Sequence, residues 1–341
     1  MLNSKEKPRR YLIVGPSWVG DMVMAQSLFI TLKKLHPDCI IDVLAPEWSL
    51  PILERMPQVN QGITLSVRHG EFSLIKRIKL GYSLRENKYT HSIALPRSWK
   101  SALVPFFSGA KNRTGYRGEM RYGLLNDIRY LDKNVLKQTV QRYVVHAYEN
   151  SQNCAPEIPF PELQVDSNNR KRIINELGLD LSRPVIVMMP GAEYGPAKQW
   201  PEKYYHDLAV LLIERGFQVW VTGSVKERAL GQGIIEGIES YTINLCGSTE
   251  LVDVVDLLSC AEQVVSNDSG LMHVAAAVGV KLNVIYGSST PDYTPPLALD
   301  DKVNIFYKNL ACSPCFKRVC PLGHTDCLMD ISVKDVFEKM I

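Results

Sequence analysis

The chain has 341 residues, 45% hydrophobic and 22% charged, with a formal net charge of +3. Those values describe a globular protein with room for two domains of ordinary size, and they exclude a disordered or fibrous chain. No apolar run approaches the ~20 residues of a membrane-spanning helix, and the polar stretch Met1 to Arg10 lacks the apolar core of a secretion signal, so a cytoplasmic location is expected.

The apolar run Tyr11 to Val14 predicts a buried strand, and a helical pattern follows through Met22, Val23, Leu28, Ile30, Leu32 and Leu35. Between them lies Gly15-Pro16-Ser17-Trp18-Val19-Gly20-Asp21. A strand, a glycine turn and a helix start make a corner whose free N–H groups suit an anion. The Gly-x4-Gly spacing is that of a phosphate loop, but Asp21 and Met22 stand where Lys and Ser or Thr are required. Asp21 at such a corner is placed to act as a general base, or to cap the helix.

Further strands are expected at Cys39 to Leu44, Ile63 to Val67 and Ser92 to Leu95. Strands alternating with helices imply a parallel sheet. Pro96 to Phe107 then joins Arg97 and Lys100 to an apolar, aromatic patch. Lys111 to Gly123 brings Arg113, Arg117 and Arg121 together with three glycines, which suggests loops whose guanidinium forks hold phosphate. From Arg68 to Arg142 there are 16 Lys or Arg against 5 Asp or Glu, so this stretch carries +11 and the remainder −8. A basic segment invites nucleic acid, a phosphorylated lipid or a membrane surface. No zinc-finger, helix-turn-helix or RNA-recognition pattern is present, so nucleic acid is not expected. A phosphorylated amphiphile suits the combination, although Leu103 to Phe107 alone also fits a buried helix.

Asn153 to Val165 is rich in proline and marks a linker, giving domains 1–165 and 166–341. The last helix is a candidate to pack back on the first domain. After a charged helix at Arg170 to Leu177, the alternation restarts with strands at Val185–Met189, Val219–Thr222, Thr242–Leu245, Gln263–Ser266 and Lys281–Tyr286. Several of these end in Gly, Ser, Thr or Asp at a helix start, and ligands sit at such ends. Lys198 in the loop after the first of these can neutralise a diphosphate or remain a surface charge. Glu227 can take ribose hydroxyls. Asp268, Ser269 and Gly270 can cap a helix or present amides to an oxyanion, and His273 can contact phosphate or pack in the core.

Cys39, Cys154, Cys246 and Cys260 are scattered among apolar neighbours and are expected to be buried, inert thiols. Cys312-x2-Cys315-x4-Cys320-x6-Cys327 has metal-like spacing; structural zinc, a redox pair and packed free thiols all fit it. A catalytic metal is not expected, since no His-Glu-x-x-His pattern appears, and neither does a Gly-x-Ser-x-Gly elbow.

Taken together, these stretches resemble the bacterial lipopolysaccharide heptosyltransferases, inverting enzymes of Gram-negative bacteria with GT-B architecture. The resemblance rests on the Gly15 to Met22 corner, Gly115 to Glu119 with Arg121, Pro190 to Lys198 with Trp200-Pro201, Asn267 to Gly270 with His273, and the cysteine segment. The proline-glycine loop and the cysteines are those of the subgroup that adds the second heptose. It implies two doubly wound Rossmann-like domains facing each other across a cleft. It implies Asp21 as the base, and an ADP-heptose pocket containing Lys198, Glu227, Asp268, Ser269, Gly270 and His273. The acceptor, heptosyl-Kdo2-lipid A, would lie in the basic first domain near Gly20, Lys100, Arg113, Arg117 and Arg121. No cofactor is implied for the chemistry, and the enzyme would work at the inner face of the inner membrane. Three other readings stay open: another nucleotide sugar such as a UDP-sugar, transfer of the first heptose to Kdo2-lipid A, and a non-catalytic module for anionic lipid. A dehydrogenase fits least, because neither half carries the dinucleotide fingerprint.

Overall fold

Runs such as Leu12-Ile13-Val14 and Val185–Met189 have no polar face, so they are stable only as inner strands of a sheet covered on both sides. A computed structural model describes residues 8–65, 73–149 and 154–341 and bears this out. The chain divides between Pro161 and Glu162. The expected boundary lay four residues later. Leu163 decides the difference, since it is buried and its N–H donates to the Ala277 carbonyl at 3.0 Å.

In the first unit the strands are β1 (Arg10–Val14), β2 (Ile40–Ala45), β3 (Gln61–Thr64), β4 (His91–Ala94), β5 (Asn112–Tyr116) and β6 (Asp127–Arg129). They form one parallel sheet in the order β3-β2-β1-β4-β5-β6. In the second unit they are β7 (Val185–Met189), β8 (Gln218–Val221), β9 (Thr242–Asn244), β10 (Ala261–Asn267), β11 (Lys281–Tyr286) and β12 (Val303–Tyr307). Their order, β12-β11-β10-β7-β8-β9, is the same winding, again all parallel. Each sheet reverses its strand order once, between β1 and β4 and between β7 and β10. Ligands of doubly wound folds bind beyond the carboxyl ends of the strands at that reversal.

The cores follow from the same pattern. Helix Val19–Leu35 buries Met22, Leu28, Phe29 and Leu32 in the first unit, while Leu12, Val14, Leu44 and Ala94 form part of a core cluster there. In the second, Trp200, Tyr205, Leu208 and Leu212 pack with Ile186, Met188 and Val265. The last helix, Val333–Met340, adds Val336 and Met340 to this second core.

Three strands depart from the expectation. Asn112–Tyr116 is not a loop but β5, paired on both sides, and β6 and β12 carry no long apolar run. Ser66 and Val67 of the expected third strand, residues 68–72 of the basic segment, Asn153 of the linker and the first seven residues lie outside the described residues. Helix Leu103–Phe107 buries its first three residues, in keeping with a core role. Among the described residues no helix is long and apolar enough to cross a membrane.

Candidate active site

At the first reversal, the Gly15 N–H donates to the Leu44 carbonyl at 2.9 Å, and helix Val19–Leu35 begins with Trp18 as its capping residue. Asp21 is therefore the third helical residue and not the cap. The Tyr143 hydroxyl donates to Asp21 Oδ1 at 2.8 Å. Tyr143 lies on helix Thr139–Val144, whose start is fixed where the Gln138 N–H donates to Gln141 Oε1 at 2.9 Å. A helix N-terminus and a phenolic donor both favour the ionised carboxylate. Gly20 is buried one residue before it.

Beyond β4, the residues expected to hold an acceptor's phosphate divide into two kinds. Lys100 is half-buried on a single turn, Trp99–Ala102. Arg117 is exposed, its guanidinium 5.6 Å from the Tyr130 ring centre. Arg113 and Arg121 are different. Arg113 donates to the Leu124 and Ala110 carbonyls at 2.7 and 2.8 Å. Arg121 is only 2% exposed; it donates to the Pro96 carbonyl at 2.8 Å, to Ser101 Oγ at 3.1 Å and to the Tyr116 carbonyl. A fork spent on main-chain carbonyls ties the loops after β4 and β5 together. It is not a surface clamp for phosphate, and in this the structure corrects the reading of Arg121.

At the second reversal, the loop after β7 and the turn after β10 meet. Asn267, fully buried, fixes them: its amide donates to the Pro190 carbonyl at 2.6 Å, and its oxygen accepts from the Trp200 N–H at 3.0 Å and the Tyr205 hydroxyl at 3.2 Å. Lys198 Nζ and Ser289 Oγ both donate to Asp268 Oδ2. The side chains of Lys198 and Asp268 are 16% and 4% exposed, so this is a largely desolvated pair. Tyr194 lies under the ammonium, 5.1 Å from ring centre to Nζ. Asp268 is thus engaged with a cation and not with its helix; Ser269 is the capping residue and Gly270 the first residue of helix Gly270–Val278. His273 is buried in that helix. Burial drives its pKa down to about 4, with Lys198 adding to the effect and Asp268 opposing it, so the ring is neutral at pH 7.

Glu227 accepts from the Ser224 N–H at 2.6 Å as part of a capping box. Its carboxylate rests against Gly191, where a Cβ would come 1.7 Å from Oε1. The missing Cβ leaves room for that approach, which brings Glu227 to the loop that carries Lys198.

The cysteine segment lies on the same loop. The Ala197 N–H donates to the Arg318 carbonyl at 3.1 Å, the Phe316 N–H to the Ser288 carbonyl at 2.7 Å, and the Tyr194 hydroxyl to the Phe316 carbonyl at 2.6 Å. Cys312, Cys315, Cys320 and Cys327 are free thiols. Burial, then the neighbouring thiols, pushes Cys327 up to about 11, while main-chain N–H groups from Thr325 and from Leu322 to His324 hold Cys320 below the usual thiol range. Among the described residues no group of three or more His, Cys, Asp or Glu is arranged to hold a metal ion. The segment is held to that loop through its main chain.

Tyr143 and Ser289 were not singled out from the sequence. Ser289 had a signal, since it closes the polar turn after β11. Tyr143 had none, lying 122 positions from Asp21 on a helix with no motif.

Comparison with known proteins adds to this geometry. Residues 77–326 match glycosyltransferase family 9 (heptosyltransferase). The chain belongs to that family. It is 44% identical to lipopolysaccharide heptosyltransferase 2 of Escherichia coli over 340 residues, covering 97% of each chain. It is 45% identical to lipooligosaccharide heptosyltransferase 2 of Haemophilus influenzae over 305 residues, covering 86% and 87%. The solved structure of the E. coli ADP-heptose LPS heptosyltransferase II superposes with a TM-score of 0.86 at 42% identity, covering 97% of each chain. The two-sheet GT-B architecture and glycosyltransferase membership implied by the sequence resemblance therefore hold.

Proposed function

We propose that the chain transfers heptose from ADP-heptose to the first heptose of a lipopolysaccharide inner core, heptosyl-Kdo2-lipid A, with inversion at the anomeric carbon. The observation that carries this reading is the pairing of opposite chemistries at two equivalent strand reversals. One offers an oriented carboxylate, Asp21, and the other a largely buried ammonium, Lys198, held by Asp268.

Asp21 takes the proton from an acceptor hydroxyl as that oxygen attacks the anomeric carbon. The bond from that carbon to the diphosphate breaks, and ADP leaves with the electron pair. Negative charge grows on the leaving oxygens in an oxocarbenium-like transition state. An ammonium donates three hydrogen bonds; with one spent on Asp268, Lys198 has two for the diphosphate. The N–H groups at Ser269 and Gly270 add to that stabilisation. His273, neutral, serves as a hydrogen-bond donor or acceptor and not as a charge. Glu227 takes donor hydroxyls beside Gly191. Lys100 and Arg117 meet the acceptor's phosphates and carboxylates, while Arg113 and Arg121 hold the loops that present them, and Gly20 leaves room beside Asp21. The protein works in the cytoplasm, at the inner face of the inner membrane where such an acceptor resides.

The test is turnover with ADP-heptose and a heptose-bearing lipid A core, alongside competition between ADP and UDP for the free enzyme. Transfer with inversion at the anomeric carbon and preference for ADP support the reading. Equal competition by UDP, or an acceptor lacking heptose used as well as one bearing it, sinks it.

A further inference from the structure

One face of the first unit stands apart from the two strand reversals. Helix Leu74–Ser83 exposes Ile75 (68%) and Tyr82 (48%), with exposed Lys79 one turn from each, and Phe106 of helix Leu103–Phe107 is 38% exposed. The two helices approach so closely at Gly81 that a Cβ there would lie 2.5 Å from Phe107 Cβ. Tyr82 and Phe107 rings are 5.3 Å apart, and Phe106 meets Phe107 edge-on at 5.2 Å. Arginines close the row at both ends: Arg85 lies 4.3 Å over Tyr82 and Arg113 lies 5.4 Å over Phe106. From residue 74 to residue 113 six cations are exposed, Lys76, Lys79, Arg85, Lys88, Arg97 and Lys111, against one acid, Glu86, while Arg77 is buried and Arg113 is held by carbonyls.

An apolar and aromatic row in a basic field has a specific physical partner. Aromatic rings with a polar rim prefer the headgroup level of a bilayer, and clustered cations are drawn to anionic lipid. Charge decides among occupants. A second copy of this face would bring the same basic field against itself, and a neutral apolar partner would leave the cations without counter-charge. We propose that this face seats the protein on an anionic phospholipid bilayer. It rests on the reading of a lipid-borne acceptor only for its purpose, since seating and turnover are measured separately. It places the membrane contact on the paired helices Leu74–Ser83 and Leu103–Phe107.

The experiment is co-sedimentation with phosphatidylglycerol–phosphatidylcholine vesicles and with pure phosphatidylcholine vesicles, at low and at 1 M salt. Wild type is expected in the anionic pellet only, with release by salt. Ile75→Ser with Phe106→Ser should lower the vesicle partition by about tenfold or more, and Lys79→Glu should lower it further. Turnover on a deacylated, soluble acceptor should equal wild type in each variant, which shows that the fold is kept. The proposal is overturned if wild type stays in the supernatant, or if it binds both vesicle types equally. It is likewise overturned if the variants sediment as wild type does, or if the substitutions instead dissociate a dimer. Absent turnover with intact vesicle binding would count against the functional reading alone.

Discussion

The two units wind their strands in the same order and end their central strands in the same way, yet they carry opposite charges at the reversal. The first presents Asp21 with a phenol on its carboxylate; the second presents Lys198 with a carboxylate and a hydroxyl behind it. Topology chooses the address, and a few side chains choose the chemistry. The supports differ as well. Asp21 is held from the neighbouring helix Thr139–Val144, whereas Lys198 is held by a loop pinned from β10 through Asn267 and from the cysteine segment through Arg318.

The largest break in this comparison is Asp21→Asn, which keeps the shape and removes the proposed base. Transfer should fall by about a thousandfold with ADP affinity within about twofold of wild type, as turnover and calorimetry would report. Near-normal turnover would remove Asp21 from the chemistry.

Lys198→Ala should act on the other side. Losing a charge-assisted contact costs about 2 kcal/mol of donor binding, about thirtyfold in Kd. Asp268 is also left buried without its cation, which costs about 3 kcal/mol of stability. ADP titration and thermal unfolding read the two losses, and unchanged ADP affinity would contradict the role given to Lys198.

Tyr143→Phe sharpens the comparison more gently. Removing a donor to the carboxylate destabilises its anion by about 1 kcal/mol, so the acidic limb of kcat/KM should move up by about 0.7 pH unit. A limb that stays in place would make Tyr143 a packing residue only.

Among the described residues each unit also buries one neutral histidine, which gives the smallest effect at pH 7. Folding holds His273 at about 4 and His146 at about 3, chiefly by burial, against the ordinary histidine value of 6.5. The unfolded chain therefore binds protons that the folded chain refuses below pH 6.5. Stability is full above that value and declines as pH falls toward 4. His146 has no hydrogen-bond partner at either ring nitrogen among the described residues, and it packs 4.5 Å from the Tyr116 ring. His146→Phe should flatten that decline in thermal unfolding between pH 6.5 and 4 while leaving pH 8 stability within about 1 kcal/mol. An unaltered slope would place the acid sensitivity elsewhere.

Sequence and structure agree where burial leaves no choice. β7 and β11 match their expected ranges because a strand covered on both faces has to be an apolar run. β5 was hidden because Asn112-Arg113-Thr114-Gly115-Tyr116 spends its polar groups locally: Arg113 on carbonyls, Thr114 on Asp127 at 2.9 Å. Asp21, Lys198 and Asp268 stand out in the sequence because each follows a strand. That Lys198 and Asp268 form a pair was not, since 70 positions separate them and both had ordinary surface roles open to them. The arginines misled for a related reason: a charge count sees cations but not the carbonyls that absorb them.

The cysteine segment carries a consequence for the order in which the protein becomes competent. Tyr194 and Trp200 are anchored by carbonyls 122 and 131 positions downstream, at Phe316 and Ile331. A ribosome-bound chain that has reached residue 300 has made both sheet reversals, and Lys198 and Asp268 with them, but lacks the strands of backbone that brace the loop between them. The nascent polypeptide should therefore hold the loop that carries Lys198 unset until the segment beyond Cys312 has emerged.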